Sequence, residues 1–243
     1  MKELEDAFGR ALYDCFLGKS DCEIIIERDD GYIDLDINTG KYFAESEDWE
    51  PYYREAMKHA KGRILDIGCG AGRHSLYLQD MGFEVVGIDI SPKAIETCKA
   101  RGLLDARVMS INDINDKLGQ FDTILMLGNN FGLFGSYKGA KSLLKKFHSI
   151  TNNHARIIAE TNDIYQTNNP FHLEYHELNR RRNRMPGQLR IRARYKKYAT
   201  PWFNYLMVSK SEIEEIVKGT GWKIDHFIDS DSSNYIAIIE KGF

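Results

Sequence analysis

The stretch Ile64-Leu65-Asp66-Ile67-Gly68-Cys69-Gly70-Ala71-Gly72 constrains the fold more than any other part of the chain. Ile64 to Ile67 has the length and apolar character of a buried strand. Three glycines at alternate positions follow, then a helical pattern with Leu76, Tyr77 and Met81 on one face. Gly82 stands where a helix C-cap belongs. A strand, a glycine turn and a helix make a nucleotide-binding βα unit, because glycines let a ligand approach the backbone closely. Glu84 to Ile88 is a second apolar run. Asp89 ends it, 21 residues after Gly68. That is near the spacing at which an acidic side chain reaches a ribose diol.

A dinucleotide site needs a small third residue in its glycine pattern, and here that position is Arg73. Asp66 is unfavourable beside a pyrophosphate and suits a ligand with a positive end. On these residues, Asp66 to Gly72 resembles the first motif of class I methyltransferases that use S-adenosylmethionine. Ile88-Asp89-Ile90-Ser91 resembles their second. The resemblance implies a Rossmann-like α/β fold with a mostly parallel seven-stranded sheet and a C-terminal antiparallel hairpin. It implies that the loop of Asp66, Gly68, Cys69, Gly70 and Gly72 meets the methionine part of the cofactor. It also implies that Asp89, with Ile90 beside it, takes the ribose. Where the family usually places an acid against adenine, this chain has Ser110-Ile111-Asn112, so backbone N–H groups around Ile111 are the expected substitute. Leu127 completes the expected cofactor-binding set.

Alternation of strand and helix continues from Arg63, with strands at 107–109, 121–127 and 155–159 and a helix at 137–150. Ser91-Pro92 reads as a helix start. This rhythm predicts a parallel sheet with helices on both faces. Ahead of it lie a helical stripe over 2–17, a β-hairpin turning at Asp29-Asp30-Gly31, and a short helix within Trp49 to Ala60. The expected organisation is an N-terminal helix and hairpin extension, or cap, over 1–58 and a cofactor-binding domain over 59–243. The second domain carries an inserted antiparallel segment at about 163–208. In that insertion Leu189 to Tyr195 alternates apolar and basic residues, as a half-exposed strand does, with Trp202 to Val208 as its partner. Ser209 and Glu212 form a capping box, and two strands close the chain.

The formal charge of -3 hides an asymmetry: residues 1–60 carry 16 acidic and 7 basic side chains, whereas 176–198 carry nine basic and one acidic. No apolar run approaches a membrane span and the first residues lack a signal-peptide core, so a cytoplasmic protein is expected. Four cysteines without C-x-x-C spacing suggest neither zinc nor a disulfide framework. Cys69 reads as a small residue filling a tight turn, with a reactive thiol as the alternative. His172 and His176, four apart, lack a third ligand nearby, so no metal is expected.

Leu127-Gly128-Asn129-Asn130-Phe131 follows the fourth strand, where the family faces the transferable methyl. It lacks the prolines of base-directed N-methyltransferases and is similar to the Leu-Gly-Asn-Ser-Phe of glycine and related small-amine N-methyltransferases. Asn129 and Asn130 are candidates to orient an acceptor; capping the loop backbone is the other role open to Asn129. No Asp, Glu, His or Lys follows Leu127 immediately, which favours an amine, a nucleophile that needs no strong base during attack. Tyr42, Tyr53, Arg192, Arg194 and Trp202 are candidate acceptor contacts. Crowded aromatics around 42–53 line a pocket or close the sheet. Arg190, Arg192, Arg194 and Lys196 share one strand face. That face is solvated, binds an anionic substrate or RNA, or docks as a lid on the acidic N-terminal hairpin. The resemblance implies transfer of a methyl group from S-adenosylmethionine to a small molecule. The alternatives are an RNA or protein methyltransferase using 180–197, or a regulatory protein that binds the cofactor without turnover. Oligomeric state is not legible.

Overall fold

A computed structural model describes residues 2–242, the side chains of 35–37 excepted. In chain order the elements are α1 (Ala7–Phe16), β1 (Ile24–Arg28), β2 (Ile33–Ile37), α2 (Pro51–Met57), β3 (Ile64–Ile67), α3 (Arg73–Asp80), β4 (Val85–Asp89), α4 (Pro92–Ala100), β5 (Asp105–Val108) and β6 (Phe121–Met126). There follow α5 (Tyr137–Ser149), β7 (Thr151–Asn162), α6 (Pro170–Arg181), β8 (Gln188–Tyr195), β9 (Tyr198–Ala199), β10 (Phe203–Leu206), α7 (Lys210–Val217), β11 (Trp222–Asp229) and β12 (Asn234–Lys241).

The larger sheet is mixed and seven-stranded, in the order β11-β12-β7-β6-β3-β4-β5. Pairs β3/β4, β4/β5 and β6/β7 are parallel, whereas β12 runs antiparallel to both β7 and β11. This is the Rossmann-like arrangement implied by the motifs. A smaller sheet has the order β10-β8-β1-β2, with β9 also paired to β8. Two compact units divide the chain, each from three segments: 1–49, 63–114 and 191–203 in the first, 50–62, 115–190 and 204–243 in the second.

In the first unit, β3 and most of β4 are wholly buried runs, as parallel strands covered on both faces must be. Helix α4 starts as the sequence reads: the Ser91 side chain accepts from the Ala94 N–H and Pro92 occupies the first helical position. Losing such a cap costs about 1 kcal/mol. β1 pairs antiparallel with both β2 and β8. Asp14 of α1, buried, takes the Tyr195 hydroxyl at 3.0 Å and ion-pairs with Arg10, Lys19 and Lys196.

In the second unit, β7 is a twelve-residue strand whose Ala155–Thr161 portion is almost entirely buried between β6 and β12. The capping box at Ser209 and Glu212 is present as read. Tyr235 donates to the Val208 carbonyl at 2.8 Å.

Three local expectations need correction. The inserted region is not purely antiparallel strand, since α6 fills Pro170–Arg181. Pro170 marks the first helical position, with Asn169 as the N-cap accepting from Phe171; a proline there opens a helix and does not break one. The third core strand spans Asp105–Val108, earlier than its apolar centre suggests. Lys196 lies past the end of β8 in a left-handed turn, φ 50°, and so leaves the strand face shared by Arg190, Arg192 and Arg194.

Candidate functional site

The first unit holds a cradle at the carboxyl ends of β3 and β4. Gly68, Gly70 and Gly72 all have left-handed backbone, with φ of 73°, 57° and 82°. Only glycine takes that conformation without strain. A Cβ on Gly70 would meet Leu12 Cδ1 at 3.7 Å, an ordinary contact, so it is the left-handed backbone that calls for glycine here. Gly70 N–H donates to Asp89 Oδ2 at 3.1 Å and Ser91 N–H donates to Asp89 Oδ1 at 2.8 Å. The Ile90 backbone adds a third bond; a carboxylate offers about four acceptor positions, so Asp89 keeps capacity for a ligand hydroxyl.

Asp66 is buried beneath the loop and takes the Ser75 hydroxyl at 2.6 Å. Burial pushes its carboxyl up to about 7, against the Ser75 bond that favours the charged form. Burial likewise pushes Asp89 up to about 6, partly offset by its backbone N–H donors. Arg73 turns away, its guanidinium on the Lys41 carbonyl at 3.0 Å and over the Trp49 ring. The site therefore offers two carboxylates as acceptors, with the Arg73 guanidinium hydrogen-bonded elsewhere and only favouring the charged form of Asp66 from a distance. It fits a ligand with hydroxyls and a positive end, as in S-adenosylmethionine, and it does not fit a pyrophosphate.

Cys69 Sγ lies 3.8 Å from Cys98 Sγ. That thiol contact and burial push the Cys69 thiol well up, so it stays protonated and fills the turn. Ile90 is exposed beside Asp89. Ser110 spends its side chain on the Asn112 N–H in a short 3₁₀ turn that contains Ile111. Tyr42 stacks edge-on against Phe8 at 5.4 Å, in the cluster with Phe43 that covers Leu12, Ala71 and Ala94. Trp49 packs edge-on to His74 and Tyr77. These three aromatics thus close over the glycine loop and α3.

Arg192 and Arg194 do not point to a ligand in the first instance. Both reach Glu27 of β1, Arg192 through its Nε and Nη2 at 2.8 Å and Arg194 at 3.5 Å. The Arg192 guanidinium also lies 4.7 Å from the Trp202 ring centre. Of the three readings of the basic strand, docking against the acidic hairpin is the arrangement seen for these two residues.

The second unit carries a group that the sequence reading passed over. Glu160, fully buried near the end of β7, receives five donors. The Tyr52 hydroxyl (3.0 Å), the Tyr53 hydroxyl (2.9 Å) and Asn234 Nδ2 (3.3 Å) reach its Oε1. Gly128 N–H (2.5 Å) and Asn129 N–H (3.1 Å) reach its Oε2, as does the Tyr53 hydroxyl again. Burial and the Glu160 charge push the Tyr52 hydroxyl pKa upward, which keeps it a donor. The loop after β6 is thereby pinned to β7. Asn129 has φ 62°, its side chain caps nothing, and its carbonyl takes the Tyr205 hydroxyl at 2.5 Å. Its Oδ1 is buried and unpartnered. The backbone-capping role is thus not the one Asn129 plays. Leu127 is buried at the start of this loop and Asn130 opens the 3₁₀ turn after it. The signal for Glu160 was available: one acid ends the apolar run Ile157-Ile158-Ala159.

His176 is buried and His172 bonds Thr167 at 3.2 Å; among the described residues no group of three or more His, Cys, Asp or Glu is placed to hold a metal. Among them, too, no helix is long and apolar enough to cross a membrane.

Comparison with known proteins agrees with this geometry. Residues 64–154 match the family model described as "Methyltransferase domain". A glycine/sarcosine N-methyltransferase of Halorhodospira halochloris is 35% identical over 107 residues, 42% of this chain but only 40% of that protein. An uncharacterized methyltransferase of Schizosaccharomyces pombe is 31% identical over 106 residues, 41% of this chain and 73% of its own length. A solved S-adenosylmethionine-dependent methyltransferase of Bacteroides fragilis, in complex with S-adenosyl-L-homocysteine, superposes with a TM-score of 0.85 at 26% identity, covering 100% of this chain and 98% of that one.

Proposed function

Since the chain belongs to the class I S-adenosylmethionine-dependent methyltransferases, we propose that its acceptor is a small molecule bearing an amine nitrogen. S-adenosylmethionine is its cofactor and supplies a methyl group carried on positively charged sulfur. Asp89 takes the ribose hydroxyls, Ile90 and the Ser110-Ile111 turn flank the adenine, and the Asp66–Gly72 loop takes the methionine end. Residues 1–58 act as a cap on the domain formed by 59–243, and the protein works in the cytoplasm.

The observation that carries the amine is Glu160. All its partners are donors, the pattern of an ionised carboxylate, and none of them is a cation. A fixed negative charge behind the Leu127–Asn130 loop favours a nitrogen that gains positive charge as it is alkylated. Such a charge would disfavour a nucleophile that must first become an anion. Asn129 Oδ1 is an acceptor in want of a donor, which an amine N–H supplies. Asn130 and Tyr53 are further candidates to shape the acceptor's surroundings, and Tyr42 is a candidate contact beside the glycine loop. The similarity to a glycine/sarcosine N-methyltransferase points to the same class.

The test is formation of S-adenosylhomocysteine across a panel of small amines, beginning with glycine and sarcosine, and of phenols and carboxylates. Turnover confined to the phenols or carboxylates would overturn the amine reading. Calorimetric titration with NAD in parallel should show no binding.

A further inference from the structure

We propose that Asp6 and Gly9, at the start of α1, are positioning residues for the cofactor's ribose, acting through the two backbone amides that hold Asp89. The proposal rests on the reading of Asp89 as the ribose acid.

Helix α1 lies outside the glycine loop and the second strand, yet it touches both anchors of Asp89. One anchor is Ser91. Asp6 is 4% exposed. Its Oδ1 accepts from Gly9 N–H at 3.2 Å, capping α1, and its Oδ2 accepts from Lys93 N–H at 3.0 Å. Lys93 is in the first turn of α4, whose N–H groups have no partner inside their own helix. One carboxylate therefore caps two helices. Ser91 completes the set by accepting from Ala94 N–H at 2.9 Å, and its own N–H holds Asp89. The turn Asp89-Ile90-Ser91 is thus fixed to α1 within two residues of the ribose acid.

The approach is close enough to exclude a side chain. A Cβ on Gly9 would sit 1.7 Å from Ser91 Oγ and 2.8 Å from the Ala94 nitrogen. Neither neighbour is the free end of a flexible chain, since Ser91 Oγ is committed to its cap. Even alanine at this position must push α1 away from Ser91.

The other anchor is Gly70. Leu12, one turn along α1 and fully buried, packs with Ala71 and Ala94 in one cluster and supplies the atom nearest to Gly70's missing Cβ. Arg101 adds a bond to the Ala71 carbonyl at 2.7 Å and lies over Phe43, tying the same loop to the segment that follows β2. Displacing α1 therefore loosens the Ser91 and Gly70 amides together. The Asp89 carboxylate is held by those two amides and by the Ile90 backbone, so its aim at a ribose diol depends on α1. The Asp6 carboxylate also adds, after burial, to the upward push on Asp89.

The experiment is calorimetric titration of the full chain with S-adenosylhomocysteine for wild type, Asp6→Ala, Gly9→Ala, Asp89→Ala and the double variant Asp6→Ala/Asp89→Ala. Far-ultraviolet circular dichroism checks the fold of each. Asp6→Ala and Gly9→Ala should each weaken binding about tenfold, the order of one hydrogen bond to a charged partner. In the Asp89→Ala background, Asp6→Ala should cost almost nothing more, because residues that act through one another are non-additive. A merely structural role predicts the opposite, with full losses that multiply in the double variant, and that result overturns the proposal. So does wild-type affinity in both Asp6→Ala and Gly9→Ala. Should Asp6→Ala fail to fold, Gly9→Ala and its double with Asp89→Ala carry the same comparison. If Asp89→Ala binds as wild type, the ribose reading itself falls. If Asp89→Ala weakens binding and the α1 variants do not, only the role of α1 falls.

Discussion

Two carboxylates in this protein hold a loop at the end of a strand by taking its backbone N–H groups, and they differ in what they have left over. Asp89 accepts from Gly70 and Ser91 and retains capacity. Glu160 accepts from Gly128 and Asn129 and then from three side chains, so its positions are filled. An acid with unspent acceptor capacity at a strand end is a ligand contact. An acid saturated by its own protein is a scaffold whose charge acts at a distance. The same residue chemistry is divided between binding and support by the count of donors around it.

The largest effect that could break this comparison is expected from Glu160→Gln. The amide keeps the shape but places an NH₂ among donors, leaving at least one buried N–H or O–H unmet. At about 1–3 kcal/mol for each such group, unfolding by urea should show a loss of roughly 2–4 kcal/mol. Turnover should fall with it. A midpoint within error of wild type would show that Glu160 is not the anchor described.

A smaller effect sharpens the comparison through pH. Asp66 and Asp89 have folded pKa values raised to about 7 and about 6, above the ordinary aspartate value of 3.8. The folded, ligand-free protein therefore binds more protons than the unfolded chain between roughly pH 4 and 7. The stability these two groups contribute is fully present below about pH 4 and is lost as pH rises through 6 to 7. Cofactor binding needs Asp89 ionised and should move the other way, weakening as pH falls below about 6. Calorimetry at pH 5.0 and 7.5 reads the affinity, and thermal melts read the stability. Parallel trends in the two would contradict the assignment of Asp89.

The smallest effect is expected from Arg192→Glu/Arg194→Glu. Their partner Glu27 is half-buried but both arginines are more exposed than it is, so the pairs add little and salt screens them. Cofactor affinity should stay near wild type, while turnover, once an acceptor is known, should fall and become less sensitive to salt. A large loss of cofactor affinity would place the basic strand in the cofactor site instead.

Much of the cradle was legible because its chemistry is local. Three alternate glycines, an acid at a strand end and Ser91-Pro92 all announce themselves within a few residues. Glu160 was passed over because its donors come from positions 52, 53, 128, 129 and 234, which no window of sequence joins. Asn129 was legible as a candidate, but its left-handed backbone and orphaned Oδ1 were not. Helix α6 was hidden by Pro170, whose effect depends on whether it opens a helix or interrupts one. The pairing of β1 with β8 joins segments far apart in the chain, and only their opposite charges hinted at it.

That last pairing bears on the order in which the molecule can be completed. Asp14 finds Tyr195 across 181 positions, and Glu27 finds Arg192 across 165. Closing loops of that length costs entropy before any contact returns it. Residues 7–28 leave the ribosome well before residues 188–195, so Asp14 waits for Tyr195 and β1 waits for β8 before the small sheet can form. In the interval, β1 and β2 present unpaired edges and Asp14 has only its local cations. A part made early is thus finished late, and slow synthesis would leave it exposed for longer.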